Sequence, residues 1–236
     1  SMPGQGILIT GTDTGVGKTF VACGLAAGLR RRGIRVAPFK PAETGCTPGA
    51  TPGELVPADA VLLREACGTD APLEAICPYR FQLPVAPWVA AKAEGKEINP
   101  SFLAGRYQEL VAAHDLVIVE TAGGILVPLA EQFHYGDLAR LLELQVLVVA
   151  GSKLGVVNHT LLTLEYLRHS GLRVAGCVLN HPFEEQSPAT DTNADTLRAL
   201  SRTPLFVLPR LTPGDAGAAA RLFDKLAHNL LTALGE

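Results

Sequence analysis

Residues 6–19 read GILITGTDTGVGKT: an apolar run, a glycine at Gly11, a glycine-rich turn, and then Lys18 and Thr19 at the start of a helical pattern. The order meets three physical needs at once. A buried strand must stop, backbone N–H groups must curl around an anion, and a helix must begin with its positive end facing that anion. Gly11, Gly15 and Gly17 permit positive φ and close backbone approach, Lys18 can reach the β and γ phosphates, and Thr19 can ligate Mg²⁺. The stretch is a variant of GxxxxGK[ST], because Gly11 comes one residue early and Thr12 holds the position where Gly or Ala is usual. The alternative reading is a glycine-rich turn with a chance lysine, which the flanking strand and helix patterns oppose.

Outward from this loop, continuous apolar runs recur at Gly6–Thr10, Ile34–Phe39, Leu116–Glu120, Val146–Gly151, Val174–Leu179 and Leu205–Leu208. Continuous rather than alternating runs are what strands covered on both faces show. Helical patterns separate them: Lys18–Arg32, Ala58–Ala66, Pro100–His114, Tyr135–Glu143, Val157–Ser170, Thr192–Ser201 and Ala216–Leu234. Alternation of this kind predicts right-handed crossovers, a mainly parallel central sheet flanked by helices in three layers, and functional groups at the carboxyl ends of the strands. The Gly/Pro/Thr-rich stretch Pro41–Pro57 and the polar stretch Pro182–Asn193 read as long surface loops at that edge. A chain of 236 residues suits one domain, placed at residues 2–236, since Ser1 ahead of Met2 reads as a residue left over from expression.

Apolar residues make up 47% and charged residues 18%, a balance that leaves surface to be covered and favours a second subunit. Net charge is −3 and the one basic cluster, Arg30–Arg32, sits at a helix end where cations complement the dipole, so nucleic acid is not an expected partner. No apolar stretch approaches the ~20 residues that span a bilayer and the start lacks a signal-type pattern, so a cytoplasmic protein is expected. Cys23, Cys46, Cys67, Cys77 and Cys177 are odd in number and without a CxxC pair, which predicts free, buried or half-buried thiols rather than disulfides or a zinc site.

A phosphate loop says only that a nucleoside triphosphate binds; the other strand ends must say why. Glu120 closes the third apolar run and reads as a Mg²⁺ ligand or as the cap of a following element, with TAGG behind it offering backbone N–H groups. Lys40 follows the second run and reads as a second cation beside the γ phosphate or as a surface lysine. Asn180, after the fifth, can read an adenine edge through its amide, with His181 next to it. GSKLGVV puts a glycine turn before a helix whose first N–H groups are free for an anion, and Asn158 or His159 there can cap the helix, touch a ligand or be satisfied locally.

Taken together, GTDTGVGKT, FKPAETG (Phe39–Gly45), Asp59, VETAGG (Val119–Gly124) and KLGVVNHTLLT (Lys153–Thr163) resemble the dethiobiotin synthetases, a P-loop NTPase family. The resemblance runs from about Gly6 to the end of the chain. It implies a ligase that uses ATP and Mg²⁺ to join CO₂ to 7,8-diaminononanoate and close a cyclic urea through a carbamic–phosphoric anhydride. Lys18, Lys40, Thr14 and Thr44 are then the catalytic set, and Thr19, Asp59 and Glu120 hold Mg²⁺. The nucleotide lies along Gly15, Val16, Gly17 and Phe20, near Thr121, Ala122 and Gly123. Asn180 and His181 read its base, and Leu208, Pro209 and Arg210 wall it. Lys40, Thr44 and Gly123 meet the substrate, while Val157 and Asn158 of the partner in a homodimer bind its carboxylate. The chain departs from the family pattern at Gly15, Thr44, Thr121 and His181, where glutamate, serine, glycine and aspartate are frequent. The competing reading is a partition-type switch ATPase, which shares the loop but not the KPAETG stretch.

Overall fold

The computed structural model describes residues 5–212 and 214–235; residues 1–4, including Ser1 and Met2, lie outside the described residues, as do Pro213 and Glu236. Strand β1 (Gln5–Gly11) leads into helix α1 (Lys18–Arg31), then β2 (Val36–Phe39). Short elements follow: β3 (Ala42–Glu43), β4 (Thr47–Pro48), β5 (Leu55–Val56), α2 (Ala58–Cys67), α3 (Leu73–Ile76), β6 (Tyr79–Arg80) and α4 (Pro87–Ala93). The chain continues through α5 (Pro100–Ala113), β7 (Leu116–Gly124), β8 (Pro128–Ala130), β9 (Phe133–His134), α6 (Tyr135–Leu141) and β10 (Gln145–Gly151). It closes with α7 (Val156–His169), β11 (Val174–Asn180), α8 (Pro188–Leu200), β12 (Leu205–Val207) and α9 (Ala216–Gly235).

Six strands form one sheet in the order β12-β11-β10-β1-β7-β2, and every pairing in it is parallel. The two-residue period of a strand sorts its side chains between two cores. Leu8, Phe39, Val117, Val119, Val146, Val148 and Leu179 face a layer built from α5, α6, α7 and α8. Ile7, Ile9, Ile118, Leu147, Val149 and Val178 face α1, α2 and α9. Each fully buried aliphatic side chain of this kind stabilises the fold by about 1.5–3 kcal/mol. Because both faces must be apolar, the strands read as unbroken hydrophobic runs, and their sequence signal was strong.

Where the observed elements differ from the expected ones, local chemistry gives the reason. Helix α8 starts at Pro188 rather than Thr192, because Ser187 and Thr190 form a reciprocal capping box and Pro188 takes the first helical position, so the polar stretch after Pro182 is a shorter loop than expected. Pro41–Pro57 is not a free surface loop throughout: Ala42 and Glu43 are buried, β3 pairs with β6, and β4 pairs with β5. Helices α3 and α4 are too short for periodicity to reveal. All five cysteines are free, four buried and Cys23 half-buried.

Helices α1 and α9 approach closely at two glycines. A Cβ on Gly24 would lie 2.3 Å from the Phe223 ring, and one on Gly28 would lie 2.7 Å from the Phe223 carbonyl oxygen. Backbone cannot swing aside as a side chain can. Gly28→Ala should therefore destabilise by about 1–3 kcal/mol from overpacking, outweighing a helix-propensity gain of about 1 kcal/mol. Gly105→Ala on the exposed face of α5, with nothing within 4 Å of the new Cβ, should stabilise by up to about 1 kcal/mol. Urea unfolding of the two variants beside the parent checks both signs.

Candidate active site

The centre of the sheet delivers the phosphate loop. Residues 12–17 join β1 to α1, with Gly15 at φ 72° and Gly17 at φ 90°, the left-handed region that glycine enters without strain. Gly11 serves differently from expectation: its φ is not positive, and glycine is needed because a Cβ would meet the Asp13 carbonyl oxygen at 2.8 Å. Helix α1 has Gly17 in its capping position, no side-chain cap and no acidic residue in its first turn, so its positive end stays open to an anion. Lys18 is half-buried; burial, and after it the like charge of Lys40, pull its ammonium below its ordinary pKa. Glu120, Asp59 and Asp13 offset this only in part, and an arriving phosphate would add opposite charge.

Lys40 directly follows β2 and is 3% exposed, which removes the surface-lysine reading. Its Nζ donates to Glu120 Oε1 at 2.9 Å and to Asp59 Oδ2 at 3.0 Å. Burial by itself depresses a lysine, but the charges of Glu120 and then Asp59 outweigh it and hold Lys40 above its ordinary value, as a permanent cation. Thr19 donates its hydroxyl to the same Glu120 Oε1 at 2.7 Å, which ties the phosphate loop to the Lys40 cluster. Glu120 lies inside β7, fully buried and paired with Ile9, so it caps nothing; the strand runs on through TAGG to pair Gly124 with Gly11.

Glu120 Oε2 is buried without a hydrogen-bond partner, an expensive state for a carboxylate oxygen and one that a cation relieves. With the Thr19 hydroxyl and Asp59 beside it, the donor set is all oxygen and fits Mg²⁺, which keeps several waters and needs few protein ligands. No group of three His, Cys, Asp or Glu side chains able to hold a metal occurs among the described residues.

The remaining expected residues divide. Thr14 is exposed beside Gly123, whose Cβ position lies 3.9 Å from Thr14 Cγ2, and Thr44 is half-buried. Ala122 is half-buried in β7, Val16 is buried in the α1 core, and Thr121 spends its hydroxyl internally on Thr10 Oγ1 and the Gly123 carbonyl. A cavity of about 260 Å³ opens between Gly17, Phe20, Asn180, His181, Pro209 and Arg210. Leu208 does not wall it: its side chain is fully buried in the core, and its carbonyl accepts from His181 Nδ1 at 2.8 Å. Asn180 is the last residue of β11 rather than one beyond it, and its Nδ2 donates to the Val16 carbonyl at 2.9 Å, so its amide is partly committed to the phosphate loop.

Helix α7 starts at Val156, with Gly155 at φ 100° in the capping position and no side-chain cap; Val157 and Asn158 lie in its open first turn, and neither Asn158 nor His159 caps it. Three residues that sequence reasoning passed over organise this end. Asp13 Oδ1 accepts from Thr14 N at 2.7 Å, Lys153 Nζ lies 3.6 Å from Asp13 Oδ2, and buried Asn193 donates to Ser152 Oγ and the Lys153 carbonyl. Asp13 and Lys153 lie in stretches that the sequence singles out, the phosphate loop and the glycine-bounded turn, whereas Asn193 carried no such signal.

Comparison with known proteins agrees with this geometry. A family described as "AAA domain" matches residues 5–213. An "ATP-dependent dethiobiotin synthetase BioD" of Anaeromyxobacter dehalogenans is 48% identical over 206 residues, 87% of this chain and 90% of that protein. The chain belongs to the ATP-dependent dethiobiotin synthetase family. Proteins of the same description from Aquifex aeolicus and Bacillus licheniformis are 39% and 38% identical, covering 87% and 88% of the chain and 89% and 86% of their own lengths. Among solved structures, the cell division ATPase MinD of Pyrococcus furiosus superposes with a TM-score of 0.56 at 20% identity, covering 97% of this chain and 99% of that one. That likeness carries the P-loop NTPase fold alone, and the dethiobiotin synthetase relatives set aside the switch-ATPase alternative.

Lys40→Gln leaves Glu120 buried without its cation, so the unliganded protein should lose about 3–5 kcal/mol. Adding Glu120→Gln should return a substantial part of the loss. Urea denaturation of both variants measures the coupling.

Proposed function

We propose that this chain, a single P-loop-type domain in the cytoplasm, catalyses ATP-dependent dethiobiotin formation in biotin biosynthesis from 7,8-diaminononanoate and CO₂. The observation that supports the reading is the buried Lys40 ammonium, bonded to the same Glu120 that binds Thr19 of the phosphate loop; with Lys18 it would supply two cations where negative charge develops in phosphoryl transfer.

One amine of the diamine takes up CO₂ and loses a proton to give a carbamate. The carbamate oxygen attacks the γ phosphorus, ADP departs, and a carbamic–phosphoric anhydride remains. The second amine attacks the carbamyl carbon, gives up a proton and expels phosphate, which closes the urea. Lys18 and the open N-terminus of α1 hold the β and γ phosphates, and Lys40 spans carbamate and γ phosphate. Thr19, Asp59 and Glu120 would hold Mg²⁺, which would supply neutralisation of phosphate charge. Thr14 and Thr44 orient the carbamate or the amines. The cavity at Phe20, Asn180, His181, Pro209 and Arg210 takes the base.

The substrate carboxylate belongs at the open start of α7 of a second subunit, at Val157 and Asn158. Exposed Leu126, Leu154 and Leu162 near that end support such a homodimer, since apolar side chains there await cover. No helix among the described residues is long and apolar enough to cross a membrane.

Phosphate release from MgATP and bicarbonate should depend on 7,8-diaminononanoate, with one cyclic urea formed per phosphate; release that ignores the diamine would refute the proposal. Lys40→Gln should remove at least 100-fold of turnover while ATP still binds, the scale of losing one transition-state charge contact. Asn158→Ala should raise the KM for the diamine about tenfold or more and leave that for ATP unchanged, as loss of one hydrogen bond to a charged group predicts.

A further inference from the structure

The Phe39–Gly45 stretch contains a carboxylate that the chemistry above leaves without a role. Glu43 is 6% exposed, and both its oxygens go to backbone: Oε2 accepts from Asp59 N at 3.1 Å and Oε1 from Ala60 N at 3.0 Å. These are the second and third N–H groups of α2, the ones an N-capping side chain satisfies. The capping position of α2 is Pro57, which has no side-chain acceptor and makes no cap bond. Glu43 therefore caps the helix from outside it, with a negative charge at the positive end of the helix dipole.

The carboxylate is aimed from a fixed backbone. Strand β3 pairs Glu43 with Arg80, and the Glu43 carbonyl accepts from Phe81 N at 2.9 Å. On the other side of the cap, Asp59, whose own N–H is held, sends Oδ2 to Lys40 Nζ at 3.0 Å. Lys40 lies three residues before Glu43, so chain, cap and ion pair close a ring.

We propose that Glu43 is a positioning residue: by capping α2 it fixes the Asp59 carboxylate against Lys40, at the place where Asp59 holds Mg²⁺. The inference rests on the reading of Asp59 as a metal ligand. Glutamate is required because glutamine has one acceptor oxygen; its amide nitrogen would set a donor against the second N–H. An unfixed first turn lets Asp59 wander from the metal, and loss of a partner that orients a ligand weakens metal binding by 10–100-fold.

The test uses the full chain and Mn²⁺ with ADP, free Mn²⁺ being followed by electron paramagnetic resonance, together with amide hydrogen exchange over residues 57–63. In Glu43→Gln, exchange over those residues should accelerate and Mn²⁺ affinity should fall about tenfold. Asp59→Asn should weaken Mn²⁺ at least as much, and the double variant should bind no more weakly than Asp59→Asn alone, because the two act on one ligand. Unchanged Mn²⁺ affinity in Glu43→Gln, with Asp59→Asn weakened, overturns the inference even if exchange quickens, since Glu43 is then a helix cap and nothing more. Additive losses in the double variant overturn it too. Unchanged affinity in Asp59→Asn refutes the metal reading itself. Should the glutamine variant not fold, Glu43→Asp, one methylene short of the cap, replaces it with the same expectations.

Discussion

Lys40 carries a full positive charge into a nearly water-free place, and much of this end of the molecule is arranged around that fact. An isolated buried ammonium would cost several kcal/mol or give up its proton, so to stay charged it must keep opposite charges at hydrogen-bond distance. Glu120 and Asp59 supply them, at 2.9 and 3.0 Å. Those carboxylates come from different elements, β7 and α2, so the charge fixes the relative positions of β2, β7 and α2. Thr19 adds the start of α1 through Glu120. A cluster held this tightly needs little rearrangement when an anion arrives, which is the condition under which fixed charges accelerate a reaction.

The sheet makes the arrangement possible. Because β1 lies between β7 and β10, with β2 on the far side of β7, the carboxyl ends of four neighbouring strands open onto one edge. Two helices, α1 and α7, start at that edge with glycine rather than a side chain in the capping position, leaving their N–H groups open. Three other helices carry side-chain caps, with His134 and Asp137 closing α6, Ser187 and Thr190 closing α8, and Asn99 closing α5, while the short α3 and α4 start without one.

The nucleotide end is more constrained than its residue types suggest. Asn180 gives Nδ2 to the phosphate loop, and a Cβ at Gly17 would sit 2.3 Å from that nitrogen, so the glycine and the asparagine require each other. Since the Leu208 carbonyl can only accept, the His181 bond to it places a proton on Nδ1 and leaves Nε2 of the neutral ring as an acceptor.

The sequence by itself determined the layers, the parallel sheet, the phosphate loop and the list of strand-end residues, because strands buried on both faces need unbroken apolar runs and an anion-binding turn needs glycines next to a lysine. Those signals are local, spanning a few residues each. What only the tertiary structure decided was which side chains meet. Glu120 bonds Lys40 across 80 residues and Thr19 across 101, and no spacing rule foretells either contact. The same holds for Glu43, whose acidic side chain looks like any loop carboxylate until α2 arrives with two unsatisfied N–H groups, and for Leu208, whose neighbours send its side chain inward. Whether a polar residue serves a ligand or the protein depends on which partners folding brings within 3 Å, and that is settled by packing between distant segments.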